Sequence, residues 1–478
     1  MSAPLLGSIE HFVVVMLENR SLDHMLGFLY ADQGNVSPLG DAFDGLTGKE
    51  SNPASGGGTD IVFKIQSSDP HPYYMPGADP GEGYVNTNAQ LFGQRVSDPS
   101  GDATCEGFVS NFAYTLSWES KQKNEVMPGT TPAQIMGMYT PATLPVLSGL
   151  ARGYAVCDQW FSSVPTETFP NRAFVHMATS QGFVSDSSRS MFTAPSIYSL
   201  LSSAGLGWTV YGYDAPPLTR GSVADITSAA ADHFGVFTDF QQAVKQGTLA
   251  SYVFLEPEWT SKGNSEHPNY DVALGEQFLH DVYYTLYGSA IWNNTLLIIT
   301  YDEHGGCYDH VPPPTNAVPP DNSAGELGFD FKRFGVRVPT VLVSPLIAAG
   351  TVYRAAGPTP LDHTSILATV EKRYGLSSLT ARDKAAPAFD DVLTLAAPRT
   401  DDPLAGVQVP VSGSTAQQPA GLNRFLRALV HAANILPVTD AATSHVLGRR
   451  IKKTPIRSEE QALEYVRARY QAYDQERR

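Results

Sequence analysis

The apolar positions of this chain fall into short unbroken runs, separated by polar segments that carry a helical period or turn residues. Residues 9–17 (Ile-Glu-His-Phe-Val-Val-Val-Met-Leu), 154–157, 208–212, 252–255, 294–301 and 338–344 read as buried strands. Helical stretches lie between them. Residues 140–153 carry Thr140 as an N-cap and Pro141 at the first helical position, 173–179 are helical in pattern, 196–203 close at Gly205, and 366–374 end at Gly375. In 272–286, Val272, Phe278, Leu279, Val282 and Leu286 keep one face apolar. Strands alternating with helices predict an α/β fold with a mainly parallel central sheet.

Three segments break that rhythm. Residues 31–106 are rich in Gly, Pro, Ser, Asp and Asn without a strong period, and read as a long irregular insertion of the kind that walls a site. Residues 311–328 are too proline-dense for helix or sheet and read as a second wall. Beyond about residue 400 the texture changes. Residues 400–418 are loop-like, 422–436 form an amphipathic helix, and Ser458-Glu-Glu-Gln461 is a capping box opening a last helix to about residue 475. The chain therefore divides into a main domain, 1–400, and a C-terminal helical extension, 401–478, which is expected to pack on it. No internal repeat or low-complexity tract is present.

Composition narrows the function. The 478 residues are 42% hydrophobic and 17% charged, which suits a globular protein. A net charge of −16 argues against nucleic acid, whose phosphates need clustered Lys and Arg. It leaves room only for transient contact with a membrane surface through a local patch. Cys105, Cys157 and Cys307 are odd in number and widely spaced, which suggests neither a disulfide framework nor a zinc ribbon. The N-terminus lacks a basic stretch followed by a long apolar core, and no apolar run reaches about 18 residues. The expectation is a soluble cytoplasmic protein, with export by a route that cleaves no signal left open. Oligomeric state is not legible.

The candidate chemistry gathers at strand ends. The 294–301 run stops at Asp302-Glu303, followed by His304-Gly-Gly-Cys-Tyr-Asp309-His310. Polar groups just past the C-terminal end of a buried strand sit where open α/β sheets keep their sites. Two adjacent carboxylates persist ionised there only if a cation or proton compensates. The first run likewise stops at Glu18-Asn19, a pair that on its own reads equally well as the cap of a following helix. Thr168 lies in a turn before a helix, where free backbone N–H groups suit a phosphate and Arg172 adds a guanidinium fork. An ordinary Thr/Pro helix start is the alternative. His267 is either a donor to a phosphate oxygen or a solvated loop histidine. His363 opens the 366–374 helix, whose positive end lowers its pKa. Asp79-Pro-Gly-Glu82 is, alone, an acidic turn.

Taken together, Glu18, Asn19, Asp302 and Glu303 offer hard oxygen ligands, Thr168 a hydroxyl, and His267, His310 and His363 donors and general acids. That inventory points to one divalent metal ion (Ca, Mg, Mn or Zn), the oxygen donors favouring the first three. A cation touching Thr168 would acidify its hydroxyl. The expected chemistry is phosphoester hydrolysis through a phospho-threonine intermediate.

Four segments carry a resemblance: Glu18-Asn-Arg-Ser-Leu-Asp23, Pro165-x-x-Thr168-Phe-Pro170-Asn171-Arg172, Thr300-Tyr-Asp-Glu-His-Gly-Gly-Cys-Tyr-Asp-His310-Val-Pro and Asp362-His-Thr-Ser365. In this order, across roughly residues 9–400, they resemble the bacterial and plant non-specific phospholipase C and acid phosphatase family of the alkaline phosphatase superfamily. The resemblance implies an alkaline-phosphatase-like α/β/α sandwich and one metal held by Glu18, Asn19, Thr168, Asp302 and Glu303. It implies Thr168 as nucleophile, His267, His310 and His363 around the phosphate, and Arg172, Asn171, Glu82 and Tyr270 on the substrate side. Glu82 and Tyr270 stand where family members often carry histidine, which alters the leaving-group side.

The leading expectation is a phospholipase C that releases a phosphorylated head group from glycerophospholipid. The alternative is an acid phosphatase or broad phosphodiesterase on small soluble phosphoesters. A third reading, an inactive phosphoester-binding protein, requires loss of a ligand or of the nucleophile, and all five ligand positions are present. A serine carboxyl-esterase finds no Gly-x-Ser-x-Gly elbow to support it.

Overall fold

The computed structural model describes residues 5–122, 126–186, 192–260, 262–413, 424–448 and 456–476. Its central sheet has eight strands: β1 His11–Leu17, β2 Ala155–Val156, β3 Trp208–Gly212, β4 Phe234–Val236, β5 Tyr252–Leu255, β6 Thr295–Tyr301, β7 Thr340–Val343 and β8 Thr351–Val352. They lie in the order β8-β2-β7-β6-β1-β5-β3-β4. Only β7 runs against its neighbours, β6 and β2; the other pairings are parallel.

A parallel sheet has helices over both faces, so its strands carry apolar residues on both sides. The run that reads Thr-Leu-Leu-Ile-Ile-Thr-Tyr is buried along its whole length in β6, and so is β1 after His11. Each such Leu, Ile or Val contributes about 1.5–3 kcal/mol by leaving water. The helices form two sets. Pro145–Gly153, Phe237–Gln246 and Val272–Leu286 pack on one another, and so do Thr168–Met177, Ile197–Ser203 and Thr364–Tyr374. The result is the expected α/β/α sandwich.

Local departures from the sequence reading have physical causes. The helix expected from Thr140 starts at Pro145. Thr140 and Thr143 instead bond to each other in a turn of their own, and Pro145 keeps Leu144 out of helical geometry while itself taking the first helical position. The insertion is less irregular than its composition suggests. It holds a two-stranded ribbon, Ser51–Pro53 with Thr59–Ile61, and the helix Tyr84–Phe92, too short to show a period. Thr168 is the first residue of its helix, not part of a turn before it.

The C-terminal helices Arg424–Ile435, Asp440–Val446 and Glu459–Glu476 pack together. Leu426, Leu436, Val466, Tyr470 and Tyr473 join the main hydrophobic core, and the Tyr473 hydroxyl donates to the Thr227 carbonyl at 3.0 Å. Residues 414–423, which include part of the predicted loop and the start of the amphipathic helix, lie outside the described residues.

Candidate active site

The register of β1 against β6 pairs Leu17 with Tyr301, so Glu18 and Asp302 leave the sheet side by side at its C-terminal edge. The Asp302 amide donates to the Leu17 carbonyl at 3.3 Å, and the Asn19 amide donates to Asp302 Oδ1 at 3.0 Å. Asn19 has φ +58°, a left-handed conformation that asparagine tolerates better than most residues. This turn lets its side chain link two other segments. Nδ2 donates to Glu82 Oε2 at 2.6 Å, and Oδ1 accepts from Thr168 Oγ1 at 3.4 Å. Four stretches far apart in the chain thus meet around one asparagine.

Asp302 is held from three sides. Arg172 donates through Nε to Asp302 Oδ2 at 2.9 Å and through Nη2 to the Met16 and Leu17 carbonyls, both at 3.2 Å, while its guanidinium lies 4.5 Å over the Trp259 ring. The Glu303 amide donates to Asp302 Oδ1 at 2.8 Å. Trp160 Nε1–H donates to His363 Nδ1 at 3.4 Å, which puts the His363 proton on Nε2, and that proton goes to the Asp302 carbonyl at 2.7 Å. Burial pushes the His363 pKa down to about 4. With both ring nitrogens engaged, His363 positions Asp302 and does not present a donor to a phosphate.

Glu303 is half satisfied. Its Oε2 accepts from the Gly305 amide at 2.7 Å and faces His304 Nδ1 at 3.2 Å. His304 Nε2 meets Gln90 Oε1 at 2.8 Å. Glu303 Oε1 and both oxygens of Glu18 are buried without a hydrogen-bond partner among the described residues, as is Arg172 Nη1. Burial pushes the Glu18 carboxyl well up, and Asp302 adds repulsion that Arg172 partly offsets. Burial, then Glu82 and Asp302, do the same to Glu303. Burial also raises Asp302, against the pull of Arg172. Buried acceptors are normally paired, and unpaired buried carboxylates cost several kcal/mol (~3–5). Three orphaned carboxylate oxygens, with the Asn19 amide oxygen and the Thr168 hydroxyl on adjoining segments, are hard oxygen donors of the kind a divalent cation takes.

The other predicted residues divide. Thr168 and Arg172 stand in this constellation. Glu82 joins it as an additional carboxylate bonded to Asn19, alongside Asp79. His267 is buried, and its Nδ1 donates to the Pro268 carbonyl at 2.9 Å, so Nε2 carries a lone pair and faces Asp79 Oδ1 at 4.0 Å. That is an acceptor, opposite in polarity to the donor expected. Burial lowers the His267 pKa to about 4, which keeps this nitrogen unprotonated near neutral pH. Tyr270 packs its ring 4.9 Å from that of His267.

Two candidates lie elsewhere. Asn171 donates to the carbonyls of Val164, Thr166 and Glu167 and accepts from the Val164 amide, so it braces the turn before Thr168 rather than facing a substrate. His310 sits in a separate ionic cluster. Its Nδ1 donates to Asp23 Oδ2 at 2.7 Å and its Nε2 lies 3.5 Å from Asp44, beside Arg337, which also pairs with Asp23 and Asp309. Burial lowers its pKa, but the carboxylates outweigh that and hold it at about 10. Both nitrogens are spent on this cluster. The helix start is also less open than expected, because the Phe169 amide donates to Asp186 at 2.9 Å and residue 170 is proline.

Sequence reasoning passed over Asp79, His304, Gln90 and Trp259. Asp79 and His304 stand in segments the sequence singles out, the acidic turn shared with Glu82 and the run after Asp302-Glu303, but carried no role there. Gln90 and Trp259 lie in segments without a motif.

Comparison with known proteins places residues 9–377 within the model of the Phosphoesterase family. Over 449 residues the chain is 36% identical to non-specific phospholipase C1 of Arabidopsis thaliana, covering 90% of this chain and 80% of that protein. It is 29% identical over 452 residues to phospholipase C B of Mycobacterium tuberculosis, covering 82% and 79%. A solved protein in the alkaline phosphatase superfamily from Vibrio parahaemolyticus aligns over 52% of this chain and 65% of its own, at 15% identity and a TM-score of 0.32.

Proposed function

The chain belongs to the Phosphoesterase family, and from that membership we propose that it is a phospholipase C that cleaves glycerophospholipid through an intermediate esterified to Thr168. The observation that carries this reading is the convergence of Thr168, Asn19, Asp302 and the orphaned oxygens of Glu18 and Glu303 at one sheet edge.

Glu18, Asn19, Thr168, Asp302 and Glu303 would hold one divalent cation. When bound, it supplies the positive charge that acidifies a hydroxyl and offsets phosphoryl oxygens. The protein's own residues do the rest. Asn19 orients Thr168 through its side-chain oxygen, and Arg172 fixes Asp302 while keeping Nη1–H for a substrate oxygen. Thr168 Oγ1 forms a bond to phosphorus as the bond from phosphorus to the glycerol oxygen breaks, and the hydroxyl proton ends on that oxygen. The head group then remains on Thr168 as a phosphodiester. Water attacks the same phosphorus, the Thr168 ester breaks, Oγ1 regains a proton, and the phosphorylated head group leaves.

Charge favours the diester over the acid-phosphatase alternative. Glu82 and Asp79 add carboxylates beside the five-residue set. A phosphodiester brings one negative charge to such surroundings, whereas a phosphomonoester brings nearly two at neutral pH. Phosphatidylcholine and a soluble phosphomonoester, assayed side by side with added divalent cation, test this. Faster release of phosphocholine is expected. Faster monoester hydrolysis would overturn the phospholipase C reading.

A further inference from the structure

We propose that the loop 325–331 is the rim by which this protein meets a phosphatidylcholine surface, with Leu327 entering the acyl layer and Arg333 at the level of the phosphates. The inference rests on the phospholipase C reading of the site, whose leaving group would be a diacylglycerol.

The loop hangs from both flanks of the candidate site. On the Thr168 flank, the Thr166 hydroxyl donates to the Val184 carbonyl at 2.6 Å, and the Val184 amide donates to Glu326 Oε2 at 2.8 Å. The Glu326 amide donates in turn to the Gly182 carbonyl at 2.8 Å. On the Glu82 flank, the Phe329 ring lies 5.2 Å from that of Tyr84. Tyr84, Val164, Phe174, Val184, Phe329 and Phe331 form a hydrophobic cluster of their own, apart from the main core. Phe174 belongs to the helix that Thr168 begins, and Val164 lies just before that helix. Apolar packing thus runs from beside Thr168 out to this loop.

Leu327 stands at the outer end. It is 55% exposed, at φ +55° and ψ +17°, a left-handed conformation that leucine rarely adopts. A single exposed leucine is ordinary on a protein surface. This one extends an aromatic cluster outward beside a cation. Arg333 is half-buried, with its guanidinium 4.9 Å from the Phe92 ring and 5.9 Å from the Tyr84 ring, and it donates through Nη2 to Asn88 Oδ1. Its Nε is buried without a partner, and it forms no ion pair with a carboxylate among the described residues.

Charge selects the occupant. Residues 325–333 carry Glu326, Asp330, Lys332 and Arg333. Glu326 is spent on the Val184 amide, and Asp330 pairs with Lys332 at 3.2 Å. The Arg333 guanidinium is left to meet an anion. An outermost leucine backed by aromatic rings and an arginine is the order in which segments at a lipid boundary arrange such side chains. A phosphatidylcholine layer offers a phosphate to Arg333 and acyl chains to Leu327. It does so without the net negative charge that a chain of −16 would resist.

The three native cysteines are buried, so Leu327→Cys supplies one exposed thiol for an environment-sensitive fluorophore on the full-length protein. With phosphatidylcholine vesicles, a brighter, blue-shifted emission that lipid-borne nitroxides quench is expected. The same label on Tyr284→Cys should not respond, because the Val272–Leu286 helix ends there, at the sheet edge where β6 begins and opposite the site. Leu327→Asp is expected to slow hydrolysis of vesicle phosphatidylcholine at least about tenfold more than hydrolysis of monomeric dihexanoyl phosphatidylcholine. Emission indifferent to vesicles, or equal losses on the two substrates, overturns the rim. Emission that follows protein concentration and not lipid assigns the loop to a contact between copies and overturns it too. Insertion of Leu327 with no hydrolysis of either substrate would sink the proposed function but leave the lipid contact standing.

Discussion

At the scale of single residues, the site is a cluster of acceptors short of protons. The Thr168 hydroxyl is placed against Asn19, so Thr168→Ala is expected to lower turnover by at least about a thousandfold while the thermal melt stays near that of wild type. Retained turnover would remove the residue from its role. The buried carboxyls give a second expectation. Glu18, Asp302 and Glu303 all have folded pKa values raised by burial. An acid raised on folding keeps its proton in the native state after the unfolded chain has lost it. Without metal, native stability therefore falls as pH climbs past the ordinary carboxyl range, from about 4 upward. A divalent cation replaces those protons, so the rise in Tm on adding Mn²⁺ should be larger at about pH 7.5 than at about pH 5. A gain that shrinks with pH would contradict a carboxylate-bound ion.

At the scale of elements, strand ends do the positioning and glycines let the loops close on them. Gly305 has φ +63°, and a Cβ there would meet the Asn19 carbonyl at 2.0 Å. Gly305→Ala should therefore cost about 1–3 kcal/mol in denaturant melts and loosen Glu303, whereas Gly93→Ala, with open space around it at the similar φ of +67°, should cost less. Equal costs would mean that contact with Asn19 is not what fixes Gly305. The strands and most helices could be read in the sequence because their apolar runs are long and regular: β1 and β6 differ from the expected ranges by two residues or fewer. The motif residues were legible for the same reason, because Glu18-Asn19 and Asp302-Glu303 follow directly on those runs. What the sequence hid was direction. Nothing in His267-Pro268 says that the ring proton turns back to its own neighbour's carbonyl, or in Asp309-His310 that Asp23 and Arg337 capture the imidazole. Those outcomes depend on partners dozens to hundreds of residues away, or on a local rotamer that pattern does not encode.

At the scale of the whole molecule, the helical extension behaves as part of the core. Tyr470 and Tyr473 are buried among residues of the main domain, and the Tyr470 hydroxyl abuts Gly221. Loss of two such aromatic side chains costs about 3–5 kcal/mol each in a well-packed core. A chain ending near residue 400 should accordingly melt well below the full-length protein or fail to stay soluble, as a thermal scan would report; an unchanged Tm would make the extension a separable unit. The central claim is that Thr168 attacks phosphorus before water does, and the stereochemical course at phosphorus tests it most directly. With a chiral phosphorothioate analogue of phosphatidylcholine hydrolysed in isotopically labelled water, two successive in-line displacements through Thr168 give net retention of configuration. Net inversion would mean a single displacement by water and would contradict the account.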